Sequence, residues 1–218
     1  MRSMKNLQII FFLFLITCNT KESKIVETPI PEIKEFTYSI DTLSEKDVEN
    51  NYCFKNVKKK IPLASISLSY INLEGVHSSG ELIVHQDVSQ EVVDIFREIY
   101  NCGFRINKIL PIYHYDCSDD KSMIDNNTSG FNHRTISGSR KLSDHSYGKA
   151  IDINPIFNPH IKRNKIFPKE GEDFIDRNKL IHGLIKKEDC VVTAFKNRGW
   201  NWGGDWKYEK DYQHFYKY

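Results

Sequence analysis

The sequence lacks the charge imbalance that would point to nucleic acid. Its 31 Lys and Arg residues stand against 29 Asp and Glu, the formal net charge is +2, and no basic stripe accompanies it. Its five cysteines include no Cys-x-x-Cys pair, which argues against a zinc site built from thiolates. No internal repeat is visible. Its one sustained apolar run, Leu7 to Thr17, is too short to span a bilayer comfortably. The hydrophobic content of 39% and aromatic content of 12% suit a globular core and say nothing about chemistry.

That apolar run follows Arg2 and Lys5, the pattern of a secretory signal peptide, and it ends in Leu15-Ile16-Thr17-Cys18 before turning polar. The ending resembles a bacterial lipobox, in which Cys18 becomes the lipidated first residue, although Thr17 stands where a small residue is usual. The expectation is export to the periplasm or cell envelope, with a lipid anchor through Cys18. Residues 1–18 are then the signal peptide. Residues 19–60, rich in Lys, Glu, Thr and Pro, read as a tether, and residues 61–218 as one folded domain. The remaining Cys53, Cys102, Cys117 and Cys190 either form two disulfides, in one of three connectivities, or stay as buried thiols.

Helical periodicity follows Asp87, through Val88, Val92, Phe96, Ile99 and Tyr100, with Gln90 as a capping-box partner and Asn101-Cys102-Gly103 as the stop. Residues 104–115 read as a strand and its continuation, and 118–130 as a polar loop. A second helix fits 187–198, with Glu188 and Asp189 at its N-terminal dipole and Gly199 as its stop. Strands and helices in irregular order predict an α+β fold.

The chemistry concentrates in Ser143-Asp144-His145-Ser146-Tyr147-Gly148-Lys149-Ala150-Ile151-Asp152-Ile153 and in Asp211-Tyr212-Gln213-His214-Phe215. On a strand, Ile151 and Ile153 face the core and Asp152 faces the other way. His145 lies seven residues earlier, on the wrong face of an unbroken strand, so Gly148 must supply a bend. Two imidazoles and a carboxylate suit zinc, with His145, Asp152 and His214 as the ligands and a position left open for water. Asp211 is the candidate general base, provided that the chain turns there.

These two segments, with Trp200-Asn201-Trp202-Gly203-Gly204-Asp205-Trp206 between them, resemble the VanY-like D-alanyl-D-alanine carboxypeptidases. That family belongs to a wider group with lysostaphin-type peptidases and the hedgehog signalling domain. The likeness runs upstream through Gly80-Glu81-Leu82-Ile83-Val84-His85 and Asn126-Asn127-Thr128-Ser129-Gly130-Phe131-Asn132-His133-Arg134. It implies a small antiparallel sheet flanked by helices, hedgehog/D,D-peptidase-like, carrying one zinc ion, and peptidoglycan stem peptides as substrate. By position it makes Arg134 the cation that steadies the carbonyl oxygen and Ser143 a hydrogen-bond donor to substrate. Gly203-Gly204 would permit close backbone approach. Trp200, Trp202 and Trp206 either wall the site or, the simpler reading, pack in the core. The Asn126-Asn127-Thr128 sequon is read as ordering the loop before Arg134. His77, His85, His114, His160 and His182 are read as structural.

Three functions compete. The first is a D-alanyl-D-alanine carboxypeptidase. The second is an L-alanyl-D-glutamate endopeptidase of the same fold. The third is a non-catalytic zinc-bearing wall-binding module, against which intact Asp211 and Arg134 argue.

Overall fold

The computed structural model describes residues 35–54 and 61–218. The signal peptide, Cys18 and most of the expected tether lie outside the described residues. In chain order the elements are β1 (Tyr38–Thr42), α1 (Glu45–Asn50), β2 (Leu63–Ile71), β3 (His77–His85), α2 (Ser89–Asn101), β4 (Lys108–Ile109), α3 (Asp119–Ile124), β5 (Asn127–Thr128), β6 (Ala150–Asp152), β7 (His160–Lys162), β8 (Lys165–Phe167), α4 (Cys190–Lys196), β9 (Asn201–Trp202), β10 (Lys210–Asp211) and β11 (His214–Tyr216). The fold is α+β, as the irregular order predicts. Instead of one flanked sheet, the described residues form three small antiparallel sheets, β1-β2-β3, β10-β7-β8 and β6-β11-β9, and a parallel β4-β5 pair. Among the described residues, no helix is long and apolar enough to cross a membrane.

The first sheet sets the core through the two-residue period of a strand. Ile66, Leu68 and Tyr70 of β2 and Leu82 and Val84 of β3 enter the main core with α2 and α4. Leu63 and Ile83 point the other way, into a smaller cluster with Phe54, Ile112 and Phe131. α2 buries Val92, Val93, Ile95, Phe96 and Ile99, and the Phe195 ring of α4 stacks on Phe215 at 4.1 Å between centroids.

Several expectations change. The folded region begins before residue 61: β1 pairs antiparallel with β2 from Tyr38↔Leu68 to Thr42↔Ala64, so part of the expected tether is sheet. Its outward-facing polar residues hid that role, because an edge strand buries little. The stretch 104–115 contributes only the two residues of β4, followed by a 3-10 turn at Ile112–Tyr115. The polar loop 118–130 holds α3, capped by the Ser118 side chain, and β5. The capping box at Asp87 does not form. A 3-10 turn at Gln86–Val88 precedes α2, the His85 ring accepts from the Asp87 N–H, and the Gln90 amide instead meets Asp94. The second helix is shorter than 187–198, with Asp189 as its N-cap, and Gly199 follows it at φ +76°.

Of the alternatives open for the cysteines, two disulfides form: Cys53–Cys117 and Cys102–Cys190. The second ties the end of α2 to the start of α4. Cross-links over 64 and 88 residues restrict the unfolded chain strongly. Replacing Cys102 and Cys190 together by Ala should therefore lower unfolding stability by about 2–5 kcal/mol in urea titration. An unchanged midpoint would show that this link contributes nothing.

Candidate metal centre

Strand pairing builds the site. β6 runs antiparallel to β11 with Asp152 directly opposite His214 and Ile151 opposite Phe215. Ile151 and Ile153 are fully buried, as the alternation requires, which turns Asp152 to the other face. On its far side, Asp152 exchanges backbone hydrogen bonds with Ser129 at 2.9 and 3.0 Å. The carboxylate strand is thus held from both edges.

His145 arrives from a 3-10 turn, Asp144–Tyr147, that ends on Gly148 in the left-handed region at φ +66°. A Cβ on Gly148 would sit 2.5 Å from the His85 nitrogen, whose N–H donates to the Gly148 carbonyl at 2.8 Å. Both conformation and space therefore require glycine at the expected bend. The His145 Nδ1–H donates to the Gly130 carbonyl at 2.7 Å, which turns Nε2 towards Asp152 and His214.

The three groups meet closely. His145 Nε2 lies 3.1 Å from Asp152 Oδ2 and 3.2 Å from His214 Nδ1, and His214 Nδ1 lies 2.9 Å from Asp152 Oδ1. Zinc bonds of about 2.0–2.1 Å in tetrahedral array imply ligand separations of about 3.3 Å, so the triad needs to open only slightly to hold such an ion. All three residues are buried, and their ligand atoms lie within 4.8 Å of one another. A buried set of one acid and two imidazoles, with His145 Nε2 already aimed inward, could hold a metal ion.

The electrostatics agree. Burial pushes His214 towards neutrality, but the Asp144 and Asp152 carboxylates outweigh it and raise its pKa to about 10. Burial likewise opposes ionisation of Asp152, and the charges and hydrogen bonds of His145 and His214 reverse this and hold it well below the usual carboxylate range. Asp144, 3.9 Å from His214 Nε2, adds negative charge behind the cluster and was not foreseen as a site residue.

Asp211 ends β10, and the chain bends over Tyr212 and Gln213 before β11 begins, which is the turn the sequence required. The Trp202 indole N–H donates to the Tyr212 carbonyl at 2.9 Å, and the Arg177 guanidinium lies 4.4 Å over the Tyr212 ring. Gly203 lets this segment approach, since a Cβ there would come within 2.6 Å of the Asp211 carbonyl oxygen. Burial pushes the Asp211 carboxyl up to about 6, against the pull of His160 and His214, and its Oδ1 is buried without a partner among the described residues.

The remaining expected residues divide. Arg134 joins the His145 turn through its backbone, whose N–H donates to Ser146 Oγ and whose carbonyl accepts from the Ser143 N–H. Its guanidinium pairs with Asp119 at 2.8 Å, while its Nε is buried and has no partner among the described residues. Ser143 caps the turn and is buried. Trp200 and Trp202 belong to the core, whereas Trp206 packs on His214 at 5.9 Å. Asn126 accepts from the Ile156 N–H and Asn127 bridges Leu110, so the sequon orders the loop as expected. His77 and His85 have structural partners, but His160 faces Asp211.

A family model described as D-alanyl-D-alanine carboxypeptidase matches residues 137–217. The match spans all three residues of the triad and Asp211, and Arg134 lies just before it. No solved structure matches the chain.

Protons and a metal ion compete for the same lone pairs here, and His214 holds its proton tightly. Binding of a divalent cation should therefore release protons and strengthen as pH rises through the neutral range. Calorimetry of zinc binding in buffers of different ionisation enthalpy measures the release. Affinity independent of pH would count against this triad as the ligand set.

Proposed function

We propose that the chain is a zinc-dependent D-alanyl-D-alanine carboxypeptidase acting on peptidoglycan stem peptides, built on the small zinc-bearing α+β scaffold of the hedgehog and D,D-peptidase group. The observation that carries this reading is the buried His145–Asp152–His214 triad beside an Asp211 carboxylate with one unpartnered oxygen, all within the segment that matches the family model.

His145, Asp152 and His214 would hold the ion. Zinc supplies a Lewis acid that polarises a peptide carbonyl and lowers the pKa of water. The chain's own residues do the rest. Asp211 Oδ1 accepts the proton of the attacking water and returns it to the leaving amine, and burial has already moved this carboxyl towards the pKa such a shuttle needs. Arg134, tethered on one side by Asp119 and with an Nε–H that has no partner among the described residues, is assigned the carbonyl oxygen as charge builds there. Ser143, beside His145, is assigned a hydrogen bond to substrate. Export through the N-terminal signal, with a lipid anchor at Cys18, completes the reading, and two disulfides suit an oxidising compartment.

Incubating the full chain with defined stem peptides and weighing the products is the direct test. Release of terminal D-alanine supports the proposal, cleavage between L-alanine and D-glutamate would reassign it as an endopeptidase, and binding without cleavage would leave a wall-binding module. Chelation should abolish activity and zinc restore it. Asp211→Asn should retain zinc and lose about 10²–10⁴-fold in kcat.

The pH dependence has a defined sign. Asp211 must be ionised to act, so kcat/KM should fall as pH drops. A bound cation favours the carboxylate, which places the midpoint below the value of about 6 set by burial. An acid limb well above pH 6 would assign the base to another group.

A further inference from the structure

Asp211 sits opposite His160 in the antiparallel register of β10 and β7, as Lys210 sits opposite Ile161. His160 Nδ1 lies 3.7 Å from Asp211 Oδ2, and His160 Nε2 lies 3.3 Å from Glu209 Oε2. Both ring nitrogens therefore face carboxylate oxygens. Glu209 is itself held by Lys162 at 3.0 Å. The imidazole packs near Phe167 and Trp206, with ring centroids at 6.1 and 6.3 Å, and Trp206 packs in turn on His214. Among the described residues no other hydrogen bond or ion pair holds the Asp211 carboxylate: Oδ1 is without a partner and Oδ2 meets His160.

We propose that His160 is a positioning residue for the base, fixing Asp211 Oδ2 through Nδ1 so that Oδ1 is the oxygen presented to the reaction, with Glu209 orienting the imidazole from its other side. A carboxylate buried without hydrogen bonds is free to rotate about its terminal torsion, which is broad and nearly two-fold, and it would present either oxygen in turn. One cross-strand partner removes that freedom. The separation of 3.7 Å is an ion-pair distance slightly beyond a hydrogen bond, and such contacts tighten when substrate closes the site. A structural histidine paired with a surface glutamate would need only one nitrogen. Here the second nitrogen is aimed at a buried acid that has no other partner among the described residues.

The inference rests on Asp211 as the base, and its test has an arm independent of catalysis. His160→Leu keeps an apolar side chain near Phe167 and Trp206 while deleting the donor, and His160→Gln restores an N–H on a side chain of similar reach. In the zinc-loaded full chain, His160→Leu should lower kcat about 10–100-fold, the usual effect of removing a partner that orients a reacting group. KM and zinc content should stay unchanged, and His160→Gln should recover most of the loss. In the metal-free full chain, the Asp211 carboxyl followed by carbon NMR should titrate higher in His160→Leu than in wild type. Of the charged groups facing Asp211, His160, His214 and His145 favour its ionised form and Asp152 opposes it, so deleting His160 removes one of the stabilising three. Wild-type kcat and an unmoved titration in His160→Leu would overturn the proposal, as would a kcat loss matched by zinc loss. If the wild type cuts no stem peptide, the peptidase reading falls and the NMR titration alone decides whether His160 governs Asp211.

Discussion

The pairing of β6 with β11 is the constraint on which the site depends. It sets Asp152 across from His214 by register alone, without any loop having to find a conformation. A slip of one residue would bury the carboxylate among the isoleucines and turn Ile151 or Ile153 towards the cluster. Burial of Ile151, Ile153 and Phe215 makes that slip costly, so the core indirectly specifies the metal centre. His145 is then added by a turn that only glycine can close, and Asp211 by a strand that only glycine can approach.

Behind these strands lies a polar scaffold that supports the same geometry. Asn154 accepts from the Asn107 N–H and donates to the carbonyls of Arg105 and Gly183. Asn158 donates to the carbonyls of Ile153 and Gly183 and accepts from Arg177 and the Ile185 N–H. Both asparagines are fully buried, where an unpaired amide would be expensive, and their hydrogen bonds fix irregular backbone that no ladder could hold. Through Arg177 and its stacking on Tyr212, this scaffold reaches the bend that separates Asp211 from His214.

The site was legible in the sequence to the extent that it is local. His145, Gly148 and Asp152 fall within eight residues, and the flanking isoleucines announce which way Asp152 points. Asp211 and His214 are likewise neighbours. What was hidden depends on partners distant in sequence. His160 was read as structural because its register mate lies 51 residues away, and the roles of Asn154, Asn158 and Arg177 exist only once backbone carbonyls have converged on them. The fold was legible as a class and as two helices. β1 and α3 were missed because their stabilisation comes from an edge pairing and a Ser118 cap, which leave little hydrophobic periodicity.

The two disulfides gain a further meaning when set beside the Asp152–His214 pair. The loop closed by Cys53 and Cys117 contains Cys102, where the second closure begins. The loop closed by Cys102 and Cys190 contains Asp152, where the third begins. Each link thus starts inside the loop before it, like rings in a short chain, and together they gird the fold from residue 53 to residue 214. The covalent part of this overlap restricts the unfolded chain from residue 53 to residue 190, and the Asp152–His214 pair carries the restraint on to residue 214 in the folded state.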